Sequence, residues 1–168
     1  MRIIGIDPGI AVTGYGVVER KEGRLSAVGH GVIRTRAGAP QAVRLTELHM
    51  EVRGIIDRLV PEAAAIERLF FNANVKTAMA VGQASGVVLA SLAEAGVEVT
   101  DYTPPQVKLA VAGSGGASKR QVQAMVTSLL GLNAQPSSPD AADALALAIA
   151  HHNRSGLDRA VAAARGAR

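Results

Sequence analysis

Three strand-like runs stand in series before the first helical pattern, and they constrain the fold more than any other feature of the chain. Arg2-Ile3-Ile4-Gly5-Ile6-Asp7 is apolar almost to its last residue and Pro8-Gly9 breaks it. Residues 13–19 resume with small and β-branched side chains, and 25–33 supply a third run after the turn at Glu22-Gly23. Strands joined by connections this short pair antiparallel, so the chain opens as a meander. Val43, Leu45, Leu48, Val52, Ile55, Ile56 and Leu59 then recur near helical spacing until Pro61 ends the pattern. A short strand at 63–67, an alanine-rich helix at 78–95 stopped by Gly96, and a strand at 97–102 follow. Next come a helix near Pro104-Pro105, the loop Gly113-Ser114-Gly115-Gly116, a helix opened by the capping box Ser118-x-x-Gln121, and a last helix opened by Ser138-Pro139. This order predicts an α/β domain over 1–153, a mixed sheet with helices on both faces. Residues 154–168 carry Arg154, Arg159, Arg165 and Arg168 among alanines and glycines and read as a flexible basic tail.

Four acids occupy telling places in that scheme. Asp7 and Glu67 end two strands, while Asp140 and Asp143 lie in the first turn of the last helix, three apart and so on one face. Each has an ordinary explanation: a turn Asp before Pro-Gly, a strand-end Glu paired with Arg68, and acids that complement a helix N-terminus. Together they repel one another unless divalent cations lie between them. An all-oxygen set without His or Cys suits Mg²⁺ or Mn²⁺ rather than zinc.

Composition agrees with a polyanionic substrate. The 168 residues carry 18 Lys and Arg against 14 Asp and Glu, a formal charge of +4. If the four acids are neutralised by metal, the remaining surface is more basic still, as binding to a phosphate backbone requires. Cysteine is absent, which excludes disulfides and thiolate zinc sites. No export signal or membrane span is evident, and the cytoplasm is the expected location.

The motifs then converge on one family. Ile4-Gly5-Ile6-Asp7-Pro8-Gly9, Thr13-Gly14-Tyr15-Gly16, Glu67-x-x-Phe70, Gly82-Gln83-Ala84-x-Gly86, Tyr102-Thr103-Pro104-Pro105-Gln106-Val107-Lys108 and Asp140-Ala141-Ala142-Asp143-Ala144-Leu145-Ala146 resemble, in order and spacing, the RuvC Holliday-junction resolvases. The resemblance spans about residues 2 to 152 and is specific as a set. It implies a ribonuclease H-like fold with a five-stranded sheet, and a homodimer that makes paired nicks in four-way junction DNA. It also implies two Mg²⁺ per subunit, with Mn²⁺ able to substitute, and a branch-migration complex of a junction-binding protein and a helicase motor as partner. The family's four carboxylates fall on Asp7, Glu67, Asp140 and Asp143. Lys108 and Lys119 match lysines near the site, with Arg120 and Lys76 as further DNA contacts supported by position alone.

Phe70 and Phe71 are the only phenylalanines, and neighbours in extended structure face opposite sides. By the resemblance Phe70 is the exposed ring, placed to stack on an unpaired base. His30, His49, His151 and His152 form no ligand set; His151 and His152, two turns beyond Asp143 on the same helix, read as surface residues or residues surrounding the site, with a proton-shuttling role as the alternative. Three rival readings remain: a phosphotransferase of the actin and sugar-kinase superfamily, suggested by Asp7-Pro8-Gly9 but needing a second lobe; an inert junction-binding module; and a nuclease of the same fold acting on RNA–DNA hybrids.

Overall fold

The computed structural model describes residues 1–68 and 75–166, with side chains for 1–68 and 78–156. Its strands are β1 (Arg2–Asp7), β2 (Val12–Lys21), β3 (Arg24–Arg34), β4 (Ala63–Glu67) and β5 (Glu98–Tyr102). Its helices are α1 (Gln41–Leu59), α2 (Val75–Glu94), α3 (Pro104–Ala112), α4 (Lys119–Leu129) and α5 (Pro139–Gly166). The strands form one sheet in the order β3-β2-β1-β4-β5. β1 and β3 flank β2 antiparallel, whereas β1, β4 and β5 run parallel, which is the expected mixed sheet. Glu22 and Gly23, with φ of 52° and 80°, turn β2 into β3 in the left-handed conformation that tight hairpins favour.

The period-2 alternation of the strands divides the core into two layers. Ile4, Ile6, Val17, Ala64 and Ile66 face Leu48, Val52 and Ile55 of α1 and Ala84, Val88 and Leu92 of α2. Ile3, Val18, Ala63, Ala65 and Tyr102 face the other way, into α3, α4 and α5. Thr103 and Ser118 each cap a helix through a reciprocal box with Gln106 and Gln121, fixing where α3 and α4 begin. α5 is the central helix of its layer: Ala144 through Ala150 are all buried. Full burial of its Leu145, Leu147 and Ile149 contributes about 1.5–3 kcal/mol each. The helix runs unbroken to Gly166, through most of the segment read from sequence as a tail.

Small residues let α5 lie almost on the backbone of the sheet. A Cβ on Gly5 would stand 1.9 Å from the carbonyl oxygen of Ala144, and one on Gly14 would stand 2.1 Å from that of Asp140. No side chain fits there. The close approach sets the height of the first turn of α5 above the ends of β1 and β4.

Candidate metal centre

Strand alternation decides which acids meet. Ile3, Gly5 and Asp7 share one face of β1, and because Ile3 pairs in parallel with Ala63, the set Ala63, Ala65 and Glu67 shares the same face of β4. Both strand-end carboxylates therefore project toward α5. Asp7 lies opposite Gly14 on β2, and Gly14 lies directly under the backbone of Asp140, so the start of α5 crosses above Asp7.

The electrostatics register this convergence. The Asp7 carboxyl is pushed up to about 7 by burial and then by the charges of Glu67, Asp143 and Asp140. Glu67 is also raised, by burial and by Asp143, with Lys119 and Lys108 opposing. Crowded, partly buried acids of this kind carry negative charge that a divalent cation would relieve, and the all-oxygen donor set fits Mg²⁺ or Mn²⁺. The α5 acids are held by their own chain: Ser138 Oγ donates to Asp140 Oδ2 at 3.1 Å, and Lys119 Nζ lies 2.6 Å from Asp143 Oδ2. Among the described residues no three His, Cys, Asp or Glu side chains are gathered tightly enough to form a ready-made metal cage.

A cavity of about 220 Å³ opens beside the acids. Glu67, Asp143, Lys108 and Lys119 line it together with Pro104, Val107, Val122, Ala146 and Leu147. Two of the expected basic residues thus meet the acids, while Arg120 is exposed on α4 and is not part of this lining. Phe70 and Phe71 lie outside the described residues, as does the side chain of Lys76.

Other positions escaped the sequence reading. Thr13 is buried, and its hydroxyl accepts from the Gly9 amide at 3.2 Å and donates to the Gly9 carbonyl at 2.7 Å, tying down the turn after Asp7. Arg44 braces the same loop through Thr35 Oγ1 at 2.8 Å and the Ile10 carbonyl at 3.1 Å. His152 is a correction. Read as a surface residue or one surrounding the site, it is fully buried, with Nε2 2.9 Å from the Val18 carbonyl, and burial pulls its pKa down to about 4. His151 is half-buried, with Nδ1 3.1 Å from the Tyr102 hydroxyl; burial and then Arg154 hold its pKa below the usual imidazole range, with Glu98 at the far end of β5 opposing. Neither imidazole belongs to the carboxylate cluster.

Comparison with known proteins agrees with this geometry. The family model described as "Crossover junction endodeoxyribonuclease RuvC" matches residues 3–151. A protein of that name from Chloroflexus aggregans is 56% identical over 151 residues, covering 90% of this chain and 92% of its own. The solved structure of Thermus thermophilus RuvC in complex with Holliday junction substrate superposes with a TM-score of 0.86 at 37% identity, covering 94% of this chain and 96% of that one. The yeast mitochondrial Holliday junction resolvase shares the fold, with a TM-score of 0.63 at 14% identity over 90% of this chain and 78% of that one. With its ribonuclease H-like sheet, its matched length and these relatives, the chain belongs to the RuvC family of crossover junction endodeoxyribonucleases.

Proposed function

We propose that this chain resolves four-way DNA junctions in the cytoplasm by paired, metal-dependent nicks, with Asp7, Glu67, Asp140 and Asp143 as metal ligands. The observation that carries the reading is the mutual influence of four acids from two strand ends and one helix, two of which, Glu67 and Asp143, line a cavity together with Lys108 and Lys119. Bound by the acids, Mg²⁺ would supply Lewis-acid activation of water and of the leaving oxygen in an in-line displacement. The chain's own part is to hold the carboxylates at fixed height under α5 and to offer lysine charge to backbone phosphates. Phe70 remains a proposed DNA contact on family grounds, Lys76 and Arg120 remain proposed contacts by position alone, and a branch-migration complex remains the proposed partner.

Paired cuts on strands of like polarity require two identical sites related by a two-fold axis. α2 offers a surface for this. Ala84 and Ser85 are turned into the chain's own core, whereas Gly82 and Gly86 face open space between the exposed Met79 and Leu89. Such a seam lets two helices approach closely and buries apolar surface that is otherwise wet. The wild-type protein is expected to sediment as a dimer and to linearise a supercoiled cruciform by two coordinated nicks. A mixed dimer with one Asp7→Asn subunit should stop at the singly nicked circle. Paired cutting by a protein that stays monomeric on the junction would remove this mechanism.

A further inference from the structure

Lys119 is placed to do more than attract DNA. It is the first residue of α4, held there by the Ser118–Gln121 capping box, in which Ser118 Oγ accepts from the Gln121 amide and the Gln121 side chain accepts from the Ser118 amide. From that fixed base its ammonium reaches across to α5 and sits 2.6 Å from Asp143 Oδ2. The Asp143 side chain is 28% exposed and that of Lys119 is 58% exposed, so the contact lies at the rim of the acidic cluster, with the lysine stem open to solvent. Lys108 lines the same cavity, but among the described residues the ammonium in contact with a carboxylate there is that of Lys119.

We propose that Lys119 is an exchangeable counter-ion of the metal centre: its ammonium holds Asp143 until a divalent cation takes that carboxylate, and the displaced ammonium then turns to a backbone phosphate. The inference rests on the metal-centre reading of the four acids. An ammonium at hydrogen-bond distance from a carboxylate oxygen and a divalent ion bound to that same oxygen compete for one position and one charge. An ion pair this exposed is weak, so exchange costs little and the lysine remains displaceable. The long, solvent-open stem can swing without moving α4, whose cap is formed by other residues. Metal uptake and phosphate capture thereby become linked through one side chain, and each favours the other.

The test is Mn²⁺ affinity, measured from free-ion electron paramagnetic resonance on the full-length protein without DNA at pH 7.5. Lys119→Met should bind Mn²⁺ about fivefold more tightly than wild type, roughly the factor a partly exposed ion pair represents. Lys108→Met, which removes an equal charge from the same cavity without removing the contact, should tighten binding by less than twofold. Equal effects in the two variants would mean a diffuse charge effect and would overturn the exchange. Asp7→Asn should weaken Mn²⁺ binding at least tenfold, and if it binds like wild type, the metal-centre reading fails and the exchange falls with it. A readout needing no substitution is the ¹⁵Nζ resonance of Lys119, which should shift on adding Mg²⁺ as the Asp143 hydrogen bond is lost. A resonance that stays fixed while Mg²⁺ binds would overturn the proposal.

Discussion

Asp7→Asn is expected to lower single-turnover nicking of a four-way junction by about 10³-fold or more, and at the same time to stabilise the protein in EDTA at pH 8. The first effect follows from losing a carboxylate beside the other three, where a bound metal would contribute several kcal/mol of transition-state stabilisation. The second follows from the raised pKa of Asp7, about 7 against an ordinary 3.8. A carboxyl shifted upward keeps in the fold a proton that the unfolded chain has released. It therefore penalises folding increasingly from pH 3.8 to about 7, and fully above that. The whole shift would correspond to a ceiling of about 4 kcal/mol, and with the side chain partly open to solvent about 1–2 kcal/mol is expected. Asparagine keeps the shape and sheds the charge. Urea unfolding at pH 8 should show the variant ahead in EDTA, with the difference narrowing at pH 4 and reversing when Mg²⁺ stabilises wild type alone. A variant that cuts within tenfold of wild type, or that is less stable in EDTA at pH 8, would contradict the assignment.

Gly14→Ala should also damage cleavage, although less than Asp7→Asn, because it alters no carboxylate. Its methyl group would stand 2.1 Å from the Asp140 carbonyl oxygen and 3.0 Å from the Asp140 Cβ, so the first turn of α5 must lift. Overpacking of this kind typically costs about 1–3 kcal/mol of stability. A displacement near 1 Å of a positioned group can cost about 10²-fold in rate. The expected variant is folded, with an unfolding midpoint in urea moderately below wild type, a cleavage rate reduced about 10²-fold and weakened Mn²⁺ binding. Normal Mn²⁺ affinity and normal cutting would show that the height of α5 does not set the site.

The same glycine explains what could and could not be read from the chain alone. Strand and helix order followed from local signals that act over a few residues: Pro8-Gly9, Pro61, Gly96 and the Ser118-x-x-Gln121 box. The matching box at Thr103 and Gln106 is equally local, and it coincides with the Pro104-Pro105 signal for the start of α3. The acids were legible because strand ends and a helix first turn are positions where unpaired charge demands a reason. Gly14 carries no such demand, since its role depends on which helix crosses above it, a fact of tertiary structure. His152 follows Leu145 and Ile149 on the buried face of α5 at helical spacing, so its burial was available from periodicity; its backbone partner, the Val18 carbonyl, lies 134 residues away and was not. Lys119, the resting partner of Asp143, stands on another helix and was invisible to spacing for the same reason, whereas Ser138 lies only two residues before Asp140.

The acids of β1, β4 and α5 are proposed to form a metal-dependent site selective for junction DNA. The most direct test compares initial cleavage rates on a mobile four-way junction, an RNA–DNA hybrid and a linear duplex of the same sequence, each in Mg²⁺ and in EDTA. Symmetric nicks are expected in the junction at least about 10²-fold faster than in either duplex, and none in EDTA. Cutting of the hybrid as fast as the junction, or junction cutting that persists in EDTA, would contradict this assignment.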